Sequence, residues 1–577
     1  MSQADEIVAA IRQGRSFEDR LLVDLDLSER DLSGARLAGA RLVRCRLDGA
    51  NLSGADLSDA QITECSLAEA VLDEANLCGA AMPGLDLFGA RLSRAGLQKT
   101  VLVGADLRRA CFDDADLTET ALIYAQLEDA SFRRATLDKT RFDMAQLARA
   151  TFEGSAAKQL SFTKADLTEA SFTAVKLFQS VFAEAVARRV RFERTELHQC
   201  VFARTDLRQT LLPRVLRACV LEDVLLTNLD LAGKDLEGVE LVDQDLSRVD
   251  LEGANLQGAV LRNARLVGAN LRGANLERAV LIGTDLRDAD LTGAKLHFNL
   301  LSGANLQGID LSGRKLEMMM LDNADLTDAN LEGAHLLRCD LSKAQLAGAN
   351  LHRAWIKHCL LTDARLAGAR IERTRFEGAD LASIDVRQLD LVRVTFQTCM
   401  FVDCDFSDLD LRGHDFSCCT FNGANMAKVR LTDCVLELAN FKGTDLRQAD
   451  LSGLRAKGAY FAEADLSFAN LKDTELRQTT FTKAKVEGTI FAGCDLRETI
   501  FDHADARHAF FQGARLHWCD LSHSDLTQAD FSGANLFYAN LHNVKDDRTI
   551  WAGAIKLGAR STDVKRLEAE AYRPPKP

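Results

Sequence analysis

The chain has 577 residues, with 85 acidic and 71 basic side chains, a net charge of −14, 47% hydrophobic residues and only 5 prolines. That balance fits a folded, water-soluble protein and excludes a disordered or collagen-like chain. The mixture of signs also leaves no basic face on which a nucleic acid could bind by counterion release.

In chain order, the opening MSQADEIVAAIRQGRSF has no basic region followed by a long apolar run. Neither a signal peptide nor a membrane span is expected, and the location expected is cytoplasmic. Ile7, Val8, Ile11 and Leu21 sit among good helix formers, so residues 1–21 are expected to hold an N-terminal capping helix. From Leu22 to Leu212 every fifth residue is Leu, Phe, Ile or Met, a run of 39 units broken only by Ala157 and Ala187. A second run of 66 units goes from Leu216 to Leu541, with Val386, Met426, Ala456, Val486 and Ala506 as its smaller or softer members. The two runs are out of step by one residue at Leu211-Leu212-Pro213, a register break that reads as a tolerated kink or as a hinge. Beyond Leu541 the repeat fades through Trp551, and Asp563 to Tyr572 suits a short helix. The expected divisions are therefore residues 1–21, 22–212, 213–545 and 546–577, the last a C-terminal cap or tail.

An apolar spacing of five suits neither regular structure. On an α-helix five steps advance the row by roughly 140°, so it wanders over every face. On a flat strand an odd spacing sends alternate side chains to opposite sides. All of them reach one core only if the backbone turns a corner in each unit. Four corners close a square, and stacked squares make a solenoid. The Phe residues support four independently: Phe112, Phe132, Phe152, Phe172 and Phe192 recur every twenty residues, as do Phe401, Phe421, Phe441, Phe461, Phe481 and Phe501. Recurrence at twenty puts one ring above another at the same corner of successive coils. About 105 units give about 26 coils, which at about 4.8 Å per rung would stack to roughly 125 Å.

Units such as Ala50-Asn51-Leu52-Ser53-Gly54 and Ala55-Asp56-Leu57-Ser58-Asp59 resemble the pentapeptide-repeat family, whose signature is A(D/N)LXX. The resemblance covers about nine-tenths of the chain. It implies an all-β fold, a right-handed quadrilateral β-helix with short helical caps, with the Leu or Phe position and the preceding Ala position facing inward. It also implies a bacterial source.

Twelve of the 15 cysteines fall on the small inward position, among them Cys45, Cys200, Cys404 and Cys519, and read as small apolar fillers in a reducing compartment. No GxSxG, GxxxxGK[ST], HExxH or paired CxxC pattern occurs. His503 and His523, twenty residues apart with His508 and His517 nearby, are the nearest candidates for a metal, but outward histidines on a polar solenoid are ordinarily solvated. No enzyme activity, cofactor or metal is expected. What remains is surface. Val260, Val280, Leu300 and Met320 occupy an outward position at twenty-residue intervals, with Phe298 and Met318 beside them, and form a candidate protein-binding patch. Trp518 and Tyr538, flanked by Phe537, form a second.

The leading functional expectation is a non-enzymatic scaffold or adaptor for an unidentified protein partner, with no direct nucleic-acid or membrane binding. Long family members resemble, in size and organisation, accessory proteins of bacterial type VI secretion systems, which implies effector loading as a setting. Gyrase-binding relatives imply two further things: a homodimer through the C-terminal region, and an alternative in which the acidic surface mimics DNA for a topoisomerase. A secreted effector is a third reading.

Overall fold

The computed structural model describes residues 3–226 and 230–572. The chain divides into two compact units, 1–300 and 301–577. The change of register lies inside the first.

Both units are built from the same corner. In Leu52-Ser53-Gly54-Ala55, the Leu52 carbonyl accepts the Ala55 N–H at 3.0 Å, and Gly54 between them has φ 63°. A positive φ at the third position is the mark of a type II turn. The same backbone recurs two residues after nearly every inward apolar residue, at Asp59 (φ 54°) in the first unit and Gln448 (φ 59°) in the second. Because an L side chain pays a steric penalty there, Gly is the natural occupant. Between corners the chain is extended only long enough to pair with its neighbours. Asn51 N–H donates to Arg30 O at 2.9 Å in the preceding coil, and Leu52 N–H donates to Val71 O at 2.7 Å in the following one. Parallel bridges therefore join residues twenty apart, such as Asn51↔Val71 and Asp445↔Asp465, and four five-residue units make one turn of a parallel β-solenoid. Continuous bridging covers fewer turns than the 26 expected. Among the described residues the pairing lapses at Leu225 and Asp230, and again at Asp385 and Asp390.

In the first unit helix α1, Gln3–Arg12, buries Ala4, Ile7, Val8 and Ile11, and Asp5 pairs with Arg30 at 3.2 Å. Strands β1 (Leu21–Val23), β2 (Arg41–Val43) and β3 (Gln61–Thr63) form one parallel sheet. Strands β4 (Ala156–Lys158), β5 (Lys176–Phe178), β6 (Glu196–His198) and β7 (Val215–Arg217) form another. The last sheet crosses the register break: Leu197 pairs with Leu216 rather than with residue 217, so one residue is dropped while the pairing of β6 with β7 persists. Leu212 and Pro213 are buried at the break, Leu211 is 81% exposed, and Lys234 Nζ donates to the Leu212 carbonyl at 3.1 Å. In the second unit β8 (Lys315–Glu317), β9 (His335–Leu337), β10 (Trp355–Lys357), β11 (Arg375–Glu377) and β12 (Thr395–Gln397) form a five-stranded sheet, broken in sequence by a 3-10 turn at Val386–Gln388. Bridging runs past residue 545 to Asn540↔Arg560, because backbone pairing does not require the Leu row. In these last units that row holds Asp546, Trp551 and Lys556. Trp551 stacks on Phe531 at 4.6 Å and the Lys556 ammonium sits 3.4 Å from the Trp551 ring centroid. Helix α2, Val564–Ala571, buries none of its residues.

The core is the inward pair of positions. Phe112, Phe132, Phe152 and Phe172 are fully buried and stack at 4.9, 5.0 and 4.6 Å, and Phe401, Phe421, Phe441, Phe461, Phe481 and Phe501 stack at 4.7 to 5.2 Å. The small position does more than fill space. Thr100, Thr120 and Thr140 donate their hydroxyls to the carbonyls of Leu77, Leu97 and Leu117 at 2.7, 2.6 and 2.8 Å. Cysteine substitutes in the same role, Cys339 Sγ lying 3.6 Å from Leu316 O and Cys359 Sγ 3.5 Å from Leu336 O. All 15 thiols are free; twelve are buried, Cys78 and Cys111 are half-buried and Cys418 is exposed. Burial pushes the Cys404, Cys494 and Cys519 thiols up to about 12 and Cys434 to about 11. A thiol reagent at neutral pH, followed by mass mapping, should therefore label Cys418 first and reach at most Cys78 and Cys111 besides, the other twelve reacting only in denaturant.

The Asp or Asn before each Leu holds its own corner. Asp290 Oδ1 accepts the Thr292 N–H at 2.9 Å, and Asp310 Oδ1 accepts the Ser312 N–H at 3.0 Å and the Asn330 amide, one coil on, at 3.0 Å. Thr292 beside Asp290, and Ser312 with Asn330 beside Asp310, keep these carboxyls below the usual range. A depressed folded value stabilises above the unfolded value of about 3.9 and is lost as pH falls through the folded one. The urea midpoint should thus fall progressively as pH is lowered from about 5.

Candidate interaction surfaces

Positions before each inward Leu and two after it face outward, so a large apolar residue there is displayed by the frame rather than buried in it. In the first unit, Val260, Val280 and Leu300 lie on successive parallel bridges; the valines are half-buried and Leu300 is 38% exposed. Phe298 is exposed, with the Arg278 guanidinium 6.0 Å from its ring centroid. In the second unit Met318 and Met320 are exposed. The division of the chain falls between Leu300 and Leu301, so Val260, Val280, Phe298 and Leu300 belong to the first unit and the two methionines to the second.

The second group lies wholly in the second unit. Trp518 and Tyr538 stack at 4.5 Å with an interplanar angle of 6°, and Phe537 meets Tyr538 edge-on at 4.4 Å. Trp518 and Tyr538 are exposed and occupy the positive-φ corner (φ 59° and 56°). Tyr538 has room because the next coil carries Gly558, where a Cβ would stand 2.9 Å from the Tyr538 ring. Sequence reading passed over a third column, Ile490 and Phe510, which are bridge partners and both exposed. The same twenty-residue rule finds it, since both occupy the outward position before the inward residue.

A groove of about 1300 Å³ lies where the pairing lapses in the second unit, lined by Arg375, Arg393, Arg412 and His414 among others. Each of its arginines is already matched: Arg375 to Glu377 at 3.0 Å, Arg393 to Glu372 at 3.7 Å and Arg412 to Asp410 at 2.8 Å. It is therefore a poor anion site.

Near the end of the second unit His503 and His523 stack at 4.5 Å, and their Nδ1 atoms lie 2.9 Å from Asp502 Oδ2 and Oδ1 respectively. His523 Nε2 is 3.0 Å and His542 Nε2 3.3 Å from Glu570 Oε2 on α2. Glu570, with Asp502 behind it, raises the His523 imidazole above its usual value. Hydrogen bonds from His523, Arg566 and His542 hold Glu570 down to about 2. Among the described residues two groups of three could each hold a metal ion: Asp502, His503 and His523, and His523, His542 and Glu570. His508 and His517 belong to neither. The repeat period exposes the histidine pair, whereas Glu570 and His542 join only because α2 folds back.

The description "pentapeptide repeats" fits the family model that matches residues 31–109, 219–313, 324–397 and 459–545 in overlapping segments, together more than half of the chain, and a second model, "pentapeptide repeat region", matches 125–202 and 394–471. The chain belongs to the pentapeptide-repeat family. Membership carries the right-handed sense of the coil. Among solved structures, similar chains include HetL, a pentapeptide-repeat protein involved in heterocyst differentiation regulation from the cyanobacterium Nostoc sp. strain PCC 7120, at 25% identity over 52% of this chain and 96% of that one, with a TM-score of 0.15. QnrB1, a plasmid-mediated fluoroquinolone resistance protein, is 17% identical over 45% of this chain and 88% of that one, with a TM-score of 0.19. Rfr23 from the cyanobacterium Cyanothece 51142 is 16% identical over 28% of this chain and 90% of that one, with a TM-score of 0.10. No curated protein matches the chain. Among the described residues no helix is long and apolar enough to cross a membrane.

Proposed function

We propose that this pentapeptide-repeat protein is a non-enzymatic scaffold that binds a protein partner through apolar side chains set at outward positions of its coils. The observation that carries the reading is the Trp518–Tyr538 stack, two large exposed rings held 4.5 Å apart on a bridged backbone. Aromatic residues on a rigid frame lose little conformational entropy on binding and are frequent anchors of interfaces. The setting we attach is effector loading in type VI secretion in the cytoplasm of a bacterium, supported by resemblance in size and organisation. Mimicry of DNA has less support, because carboxylates on the surface are interleaved with arginines that neutralise them, as in Asp24–Arg44 and Asp114–Arg134, at 2.7 and 2.6 Å.

The reading is tested by affinity purification of the full chain and of Trp518→Ala/Tyr538→Ala from a bacterial lysate. A protein captured by the parent and lost from the variant supports it. The same set of proteins from both removes this surface. Light scattering on the purified chain reports the homodimer proposed for the C-terminal region, where Ile550, Ile555 and Leu557 are exposed.

A further inference from the structure

The histidine cluster of the second unit contains two overlapping triads, and the hydrogen bonds decide between them. The Asp563 backbone N–H donates to His542 Nδ1 at 3.0 Å. A neutral imidazole that accepts at one nitrogen carries its proton on the other, so His542 Nε2 is a donor aimed at Glu570 and has no lone pair to offer a cation. Glu570 is itself engaged at both oxygens, since Arg566 Nε donates to its Oε1 at 2.7 Å while His523 and His542 meet Oε2. The triad that includes Glu570 is thus closed by protons.

In the other triad the Nδ1 atoms of His503 and His523 face only Asp502, itself a ligand, and no backbone donor occupies them, so a cation can displace the protons between them. His503 Nδ1 and His523 Nδ1 converge on the Asp502 carboxylate, whose Oδ1 also accepts Ser522 Oγ at 3.1 Å. If a cation takes the Nδ1 lone pairs, the proton of His523 stays on Nε2, 3.0 Å from Glu570 Oε2. That is the arrangement in which a carboxylate orients a metal-bound imidazole and raises its basicity. We propose that Asp502, His503 and His523 bind a divalent transition metal of the zinc class, with Glu570 of α2 as the positioning residue behind His523. Imidazole and carboxylate together suit zinc, nickel or cobalt rather than calcium or magnesium. In a tetrahedral site with bonds of about 2.0–2.1 Å, ligand atoms stand roughly 3.3 Å apart. The 2.9 Å contacts reach opposite oxygens of Asp502 and the ligand atoms lie within 4.8 Å of one another, so closing on one ion requires a modest adjustment, which His503, 53% exposed, can supply by rotating its side chain. Three protein ligands leave the fourth position to water or to an incoming ligand. Since the two histidines belong to successive coils and Glu570 to the terminal helix, the ion would tie α2 to the last coils.

The test uses the untagged full chain, stripped with a chelator and titrated with zinc chloride by calorimetry at neutral pH. One ion per chain is expected, with a rise in melting temperature. His503→Gln and Asp502→Asn should abolish binding, Glu570→Gln should weaken it by about 10–100-fold, and His542→Ala should leave one ion bound. His503→Gln alters an exposed corner, and circular dichroism checks that it folds. No stoichiometric zinc on the parent, or unchanged binding by His503→Gln, overturns the proposal; loss of the ion in His542→Ala with retention in His503→Gln would move the site to the other triad.

Discussion

Phe152→Ala should destabilise the first unit by about 3–5 kcal/mol, near the top of the range for truncating a core side chain. Phe152 is fully buried, stacks on Phe132 and Phe172 at 5.0 and 4.6 Å, and meets Phe142 and Phe162 edge-on at 5.8 Å each. Its removal opens a void bounded by four rings, and each of those rings is pinned by a coil whose backbone is bridged on both sides, so collapse is restricted. In a solenoid each coil contacts only its neighbours, so the loss should be local and should appear as earlier unfolding of the first unit. Urea unfolding followed by circular dichroism, with hydrogen exchange to locate the opened coils, measures it. A loss below about 1 kcal/mol would mean that the aromatic ladder repacks, contrary to the density expected of such a core.

Leu300→Asp in the first unit and Met320→Asp in the second, made as separate variants, should each weaken partner capture while leaving the fold intact. The backbone at Leu300 pairs through its own N–H, donated to Ala279 O at 3.1 Å, and through its carbonyl, which accepts from Leu281 N–H at 2.7 Å. The Met320 carbonyl accepts the Leu301 N–H at 2.7 Å. None of these bonds involves the side chain, and both side chains are exposed, so stability should stay within about 0.5 kcal/mol of the parent. Binding is different. A charge placed in the desolvated centre of a contact costs about 2 kcal/mol or more, some thirtyfold in affinity. Quantitative pull-down against the partner identified with the parent chain checks each variant, and undiminished capture by both would eliminate these two positions and leave Trp518 and Tyr538 as the surface to pursue.

Most of the fold could be read from residue spacing because a solenoid repeats one local decision. The Leu at every fifth place, the small residue two before it and the Gly-tolerant corner two after it are all set within one unit, and the twenty-residue Phe recurrence fixes four units per turn. Exceptions were legible too: Ala157, Ala187 and Val386 keep the inward place and are buried. Where the chain departs from the pattern, spacing ceased to inform. At Leu212-Pro213 it gave the loss of one residue but not that β6 and β7 would still pair across it. Near the C-terminus it placed the end at residue 545, whereas backbone bridges continue to Arg560 with Asp546 and Lys556 in the Leu row.

The amino-acid sequence by itself determined the corner, the turn, the inward ladder and the columns of outward residues, since each follows from contacts between residues at a fixed separation. Only the tertiary structure decided which outward residues meet partners from outside their column. Glu570 reaches His523 across 47 residues, and the Asp563 N–H fixes the proton of His542, because a helix that belongs to no repeat folds back on the last coils and its docking has no period to betray it.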